Sequence, residues 1–270
     1  MTEPPDPGVI WQLINGFGAY WVAVAAVELG VFEALDALPM NGAMLAKTIG
    51  CDCDRLGAVC DALVGMKLLD RADDRYLLTS DSDAFLIAGR AGSMRDLLLH
   101  SPGPWDNWPA LSATIGGSPP PLIVGDDFYQ SLVRATFPTQ HAVAALVAPT
   151  LGAVNRVVDL GAGAGPWTIA LLETFPTATA VVNDLPGVLE IARETATAND
   201  VAERCEFRPG DYFTVPLPEA AFDVVVLAMS FEAKGGRARR SCCPGLPRSC
   251  VPAARFWSPI TSSMTIGAAR

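Results

Sequence analysis

The chain has 270 residues, half of them hydrophobic and 18% charged, with a formal net charge of −10. That is too long for a disulfide-stapled miniprotein and too apolar for a disordered chain, and it leaves room for one large domain or two modest ones. The acidic balance argues against a nucleic-acid partner, because binding a polyanion needs a basic face. No apolar run reaches the roughly 20 residues of a membrane span, so no membrane partner is expected. The start, Met1-Thr2-Glu3-Pro4-Pro5-Asp6-Pro7, has neither a basic region nor a cleavable apolar stretch, and no signal peptide is expected. The seven cysteines are odd in number, and Cys51 and Cys53 are not matched by a second pair at zinc-finger spacing. A reduced, cytoplasmic setting and no metal site are the corresponding expectations.

In chain order, residues 9–38 read as helical, with apolar positions recurring through Val9, Leu13, Phe17, Trp21 and Val24 until Pro39 stops the run. Helix Ala43–Ile49, a break at Gly50 and helix Asp54–Met66 follow. Then come Lys67–Asp70, a polar turn through Asp74 and the segment Arg75–Thr79. Two helices and a short hairpin outline a winged helix. The second helix carries only Arg55 as a base among Leu56, Val59, Leu63 and Val64, so packing or dimerisation is favoured over DNA reading. Residues 80–152 are helical again, broken at Gly89, Pro102–Pro104 and Gly116–Pro121. They hold an aromatic set that reads as core or as the wall of an apolar pocket.

From Asn155 the pattern alternates: strand Arg156–Leu160, helix Trp167–Phe175, strand Ala178–Asn183, helix Pro186–Asn199, strand Cys205–Arg208 and strand Phe222–Met229. Strands separated by helices imply a parallel sheet with right-handed crossovers. The first strand runs into Asp159-Leu160-Gly161-Ala162-Gly163-Ala164-Gly165-Pro166, where small residues admit a ligand close to the backbone. Ligands of such sheets lie across the carboxyl ends of the strands. A dinucleotide expects G-x-G-x-x-G, and Pro166 breaks that fingerprint. S-adenosyl-L-methionine has no phosphate to cradle; it needs an acid for its ribose and a partner for its adenine. Asp184 stands where the ribose acid belongs, and Asp211 where the adenine amine would be met, with Tyr212 or Phe213 beside the ring.

These segments resemble the small-molecule O-methyltransferases of bacterial secondary and plant phenolic metabolism. The carriers are Glu28-Leu29-Gly30-Val31-Phe32-Glu33-Ala34-Leu35, the winged segment through Tyr76-Leu77-Leu78-Thr79, Asp159–Gly165, Asn183-Asp184-Leu185-Pro186 and Pro209-Gly210-Asp211-Tyr212-Phe213. The resemblance covers roughly residues 10–233. It implies an α/β fold with a mainly helical winged-helix dimerisation domain (9–100), followed by a helical linker and substrate-pocket region (101–152). A truncated, Rossmann-like class I methyltransferase domain (153–233) comes next. It also implies a homodimer through the N-terminal domain and methyl transfer from S-adenosyl-L-methionine to a hydroxyl of a small aromatic or polyketide-like acceptor. Cofactor contacts are expected at Asp159, Gly161, Ala162 and Gly163, at Asp184 and Leu185, and at Asp211, Tyr212 and Phe213.

The family commonly places a histidine base just beyond strand four, where this chain reads Leu227-Ala228-Met229-Ser230-Phe231-Glu232-Ala233. Glu232 falls near the expected place, although a carboxylate at its usual pKa is a poor base for a phenol. The only histidines are His100 and His141, and His141 lies in the helical region that borders the family's active site. His141 and Glu232 are therefore the catalytic candidates. The missing base keeps open a non-methylating homologue that uses the cofactor site structurally, and a winged-helix regulator is the remaining alternative.

All 29 acidic residues precede residue 234, whereas 234–270 hold seven basic residues and no acid. Read one base earlier with permitted codons, Ser249–Gly267 becomes Q-L-R-P-G-G-P-V-L-V-A-D-Y-F-V-D-D-D-R, the turn, strand and acidic loop that the family has at this place. A shifted reading frame entering within 234–240 is the expectation. It implies a disordered tail, a four-strand sheet with strand four as an exposed edge, and a product impaired or inactive as encoded.

Overall fold

The computed structural model describes residues 6–100, 108–119, 125–212, 214–216, 222–228 and 265–268. The chain divides into two compact units, Met1–Pro102 and Gly103–Arg270.

The first unit opens with α1 (Gly8–Glu28) and α2 (Val31–Ala37). The single helical stretch expected over 9–38 is broken at Gly30, whose φ of 75° lies in the left-handed region that glycine adopts without strain. Only the last turns of α1 are buried, through Ala23, Val24, Ala26 and Val27. Its first half leaves Leu13 72%, Ile14 60% and Phe17 60% exposed. By length and composition alone α1 is long and apolar enough to cross a membrane, although no continuous apolar run of that length is present. Gln12 and Asn15 interrupt a continuous apolar run, yet the helix averaged over its length remains apolar.

Helices α3 (Gly42–Ile49) and α4 (Cys53–Gly65) begin where side chains satisfy their free N–H groups. Asn41 accepts from the Met44 N–H and Asp52 from the Arg55 N–H, each at 2.9 Å. Strands β2 (Leu69–Ala72) and β3 (Arg75–Leu78) form the expected hairpin. An additional short strand, β1 (Met40–Asn41), pairs antiparallel with β3 to give the order β1-β3-β2. Helix α5 (Ser80–Phe85) starts in a Thr79/Ser82 capping box, and α6 covers Arg95–His100. Phe32, Leu45, Leu63 and Leu69 are the largest fully buried side chains of this unit's core.

In the second unit, α7 (Leu111–Ile115) and the long α8 (Asp126–Val147) precede the alternating region. That region consists of β4 (Arg156–Leu160), α9 (Pro166–Thr174), β5 (Thr179–Asp184), α10 (Pro186–Ala198), β6 (Cys205–Pro209) and β7 (Val224–Leu227). Pairings β6-β5, β5-β4 and β4-β7 are all parallel, as the alternation predicts. The unbroken apolar run of β7 is buried at all four residues, the sign of a strand covered on both faces. Helix α9 is buried from Pro166 to Leu172 because it packs against the sheet on one side and α8 on the other. Asp223 locks the base of β7 to β4: its Oδ2 accepts from the Asn155 and Arg156 N–H groups at 2.7 and 2.9 Å, and these bonds lower its pKa.

The expectation that strand four forms an exposed edge is corrected. A further strand, β8 (Thr265–Ala268), pairs antiparallel with β7, matching Leu227 to Thr265 and Val224 to Ala268, and extends the order to β6-β5-β4-β7-β8. The tail therefore contains a strand that its residue pattern does not announce. The open row of N–H and C=O groups on an edge strand pairs through backbone alone, and such pairing leaves no periodicity in the side chains. The remaining tail positions, with Glu232 and the expected frame shift at 234–240, lie outside the described residues.

Candidate active site

The parallel strands deliver their carboxyl ends to one edge of the sheet, and a cavity of about 300 Å³ opens there, within the second unit. The turn after β4 forms its floor. Gly161, Gly163 and Gly165 all have positive φ, 69°, 60° and 76°. Gly163 is tightly constrained, since a Cβ placed there would come within 3.3 Å of Val133 Cγ1. Gly161 and Ala162 direct their N–H groups to the Asn183 carbonyl at 2.9 and 3.0 Å, which fastens the turn to the end of β5.

Asp184 ends β5 and lines the cavity. Its Oδ2 accepts from the Gly163 N–H and its Oδ1 from the Leu185 N–H, both at 2.7 Å. Burial pushes this carboxyl above the ordinary value and the two N–H groups pull it back. Asp211 and Tyr212, in the turn after β6, complete the opposite wall. Of the residues expected to meet a cofactor, Gly161, Ala162, Gly163, Asp184, Leu185, Asp211 and Tyr212 all line this one cavity. Phe213 lies outside the described residues.

Asp159 stands apart from the others. It is 1% exposed and is not part of the cavity wall. Its Oδ2 accepts from the Thr168 hydroxyl at 2.7 Å, and its Oδ1 has no partner among the described residues. Burial raises its pKa to about 7; the Thr168 hydrogen bond opposes this rise and the neighbouring Asp184 charge adds to it.

His141 also sits off the cavity wall. Its Nε2 lies 3.2 Å from Glu173 Oε2 and its ring stacks on Phe137 with centroids 5.5 Å apart. A further part of the wall comes from α8: Tyr129, a member of the aromatic set read as core or pocket wall, with Leu132, Val133, Thr136 and Gln140, which sequence reading passed over. Their spacing, i, i+3, i+4, i+7, i+11, is one helical stripe, and that periodicity was the available signal. Gln140 is held in place by the Trp167 indole N–H, which donates to its Oε1 at 3.1 Å.

The chemistry of the wall is one-sided. Among the described residues that line it, the ionisable groups are the carboxylates Asp184 and Asp211 and the phenols Tyr129 and Tyr212, with no lysine, arginine or histidine. Such a wall favours a cation and disfavours a pyrophosphate. Among the described residues no group of three or more metal-ligating side chains comes together.

Comparison with known proteins gives matches along most of the chain. The sequence pattern of the O-methyltransferase dimerisation domain matches residues 11–88, and that of the O-methyltransferase domain matches residues 129–231. Acetylserotonin O-methyltransferase of Bos taurus is 30% identical over 242 residues, covering 80% of this chain and 69% of the relative. The 3-hydroxy-5-methyl-1-naphthoate 3-O-methyltransferase of Streptomyces sahachiroi is 27% identical over 261 residues, covering 89% of this chain and 74% of the relative. Among solved structures, a Nostoc punctiforme protein assigned as an O-methyltransferase superposes with a TM-score of 0.73 at 26% identity, covering 83% of this chain and 70% of that one. Human N-acetylserotonin methyltransferase in complex with SAM shares the fold, with a TM-score of 0.64 at 23% identity over 82% of this chain and 70% of that one.

Proposed function

Because the chain belongs to the O-methyltransferase family, we propose that it transfers a methyl group from S-adenosyl-L-methionine to a hydroxyl of a small aromatic or polyketide-like metabolite. The observation that carries this reading is the cavity wall, where the glycine turn and the carboxylates of Asp184 and Asp211 meet with no cationic side chain among its described residues. A sulfonium nucleoside fits that wall on charge, and the small residues Gly161, Ala162 and Gly163 that line the cavity admit such a ligand close to the backbone. Asp184 would hold the ribose hydroxyls, Asp211 the adenine amine with Tyr212 beside the ring, and Gly161 to Gly163 the amino-acid end. When bound, the cofactor supplies an electrophilic methyl on a positively charged sulfur.

The protein's own contribution is alignment and exclusion of water. Val133, Leu132 and Trp167 close one side of the cavity with apolar surface, and Asp184 and Asp211 would fix the ribose and the adenine so that the methyl-bearing end is left to the acceptor. The relatives named for a naphthoate and for acetylserotonin act on flat aromatic molecules, which supports an aromatic acceptor here. The match to the dimerisation domain and the exposed apolar first half of α1 support a homodimer through the N-terminal unit. Cys51, Cys53, Cys60 and Cys205 are free thiols, in keeping with a cytoplasmic setting.

A second reading is favoured by the position of His141. With that ring paired to Glu173 and off the cavity wall, no imidazole is found among the described residues that line the cavity. A homologue that binds the cofactor without methylating fits this equally. Incubation with radiolabelled S-adenosyl-L-methionine and a panel of hydroxylated naphthoates, indoles and polyketide-derived phenols separates the two. Label transferred to an acceptor establishes methylation. Calorimetric binding with no transfer establishes the second reading, and failure to bind the cofactor overturns both.

A further inference from the structure

Asn183, the penultimate residue of β5, is fully buried although its strand neighbours Val181 and Val182 are apolar. Its side-chain Nδ2 donates to two carbonyls of another segment, Arg208 O at 2.8 Å and Gly210 O at 2.9 Å. Its own carbonyl accepts from the Gly161 and Ala162 N–H groups. The next residue, Asp184, takes the Gly163 N–H, and its carbonyl accepts from the Gly210 N–H at 3.0 Å. One residue thus ties together the glycine turn, the end of β5 and the turn that carries Asp211. These three segments carry the glycine floor and the carboxylates Asp184 and Asp211 of the cavity.

The amide is used in an uneven way. Both Nδ2 hydrogens are directed at carbonyls, while Oδ1 is buried and has no partner among the described residues. A buried acceptor left without a partner carries a desolvation penalty that an apolar side chain of similar volume would avoid. What the amide supplies instead is a fixed position for Gly210, whose φ of 138° no other residue adopts comfortably, and so for the Asp211 attached to it.

We propose that Asn183 is a positioning residue for cofactor binding: its two donors hold the Arg208 and Gly210 carbonyls so that Asp211 stands at a set distance from Asp184 across the cavity. The proposal rests on the cavity being the S-adenosyl-L-methionine site. It makes the contribution of Asp211 conditional on Asn183.

The test is a double-mutant cycle on the full chain, titrated calorimetrically with S-adenosylhomocysteine, with unliganded thermal unfolding measured in parallel. Asn183→Leu and Asp211→Asn are each expected to weaken binding about tenfold. In the Asn183→Leu background, Asp211→Asn should cost less than about twofold, because the carboxylate it removes is already misplaced. A purely structural role lowers the unfolding temperature but leaves the two effects multiplicative, about a hundredfold together, and that result overturns the proposal. Asn183→Asp, of the same shape but with the donors replaced by acceptors, runs the same cycle where the leucine variant does not fold, and the same two outcomes decide it. Wild-type chain that does not bind S-adenosylhomocysteine refutes the cofactor reading itself, a result distinct from an additive cycle.

Discussion

Asp159→Asn is the perturbation whose consequence the structure fixes most closely. The carboxyl is 1% exposed, and burial raises its pKa from 3.8 to about 7 against the pull of the Thr168 hydroxyl. The unfolded chain ionises through its ordinary value and the folded chain only through the raised one, so ionisation works against folding. Below pH 3.8 both forms are protonated and the group contributes nothing; stability then falls as pH rises towards about 7, and above that the loss is complete. The full loss is on the order of 4 kcal/mol, of which roughly 3 kcal/mol falls between pH 5 and pH 8. With a slope of about 2 kcal/mol per molar urea, the wild-type midpoint should drop on the order of 1 M over that interval. Asparagine keeps the shape and the acceptor for Thr168 but cannot ionise, so the part of the fall that belongs to Asp159 should be absent from its midpoint over the same range. Urea unfolding followed by circular dichroism at pH 5 and pH 8 measures both. A variant as steeply pH-dependent as the wild type would refute the assignment of that slope to Asp159.

Other expectations follow from particular contacts. Gly163→Ala places a Cβ against Val133 in a backbone at φ 60°. It should weaken S-adenosylhomocysteine binding by about tenfold or more, and adding Val133→Ala should recover only the steric part, as read by calorimetry. Replacing Trp11 and Phe17 on the exposed face of α1 with serine should shift a dimer to monomer in sedimentation velocity without unfolding the chain, since neither side chain is in the core. Truncation after residue 264 removes β8 and uncovers β7, so the unfolding temperature should fall by several degrees and aggregation should increase. An unchanged melting curve would contradict the pairing's contribution.

The parallel half of the fold was legible because its signals are local and redundant. Unbroken apolar strands, helices between them and an acid at each strand end point to one sheet, and β4 to β7 form where that pattern places them. Asp184 and Asp211 were legible for the same reason: topology alone brings strand ends together. Asp159 shares the motif but not the cavity, because this penultimate residue of β4 faces Thr168 of α9 rather than solvent, a direction that spacing does not encode. The α8 stripe went unread because its apolar residues look like ordinary core. The cavity lining and the close approach of Val133 to Gly163 show that they border the site. The break at Gly30 and the pairing of β8 depend on backbone conformation and on an open edge, and neither leaves a periodic trace in side chains.

The central claim is that the carboxyl edge of the β4–β5–β6 strands is built for a sulfonium nucleoside held by Asp184. Isothermal titration of the full chain with S-adenosyl-L-methionine, beside the Asp184→Asn variant, tests it most directly. One site per chain in the wild type, weakened about tenfold or more in the variant, is the predicted result, since a hydrogen bond to a charged group contributes on the order of 1.5–3 kcal/mol. No measurable heat of binding in the wild type, or equal affinity in the two proteins, would contradict it.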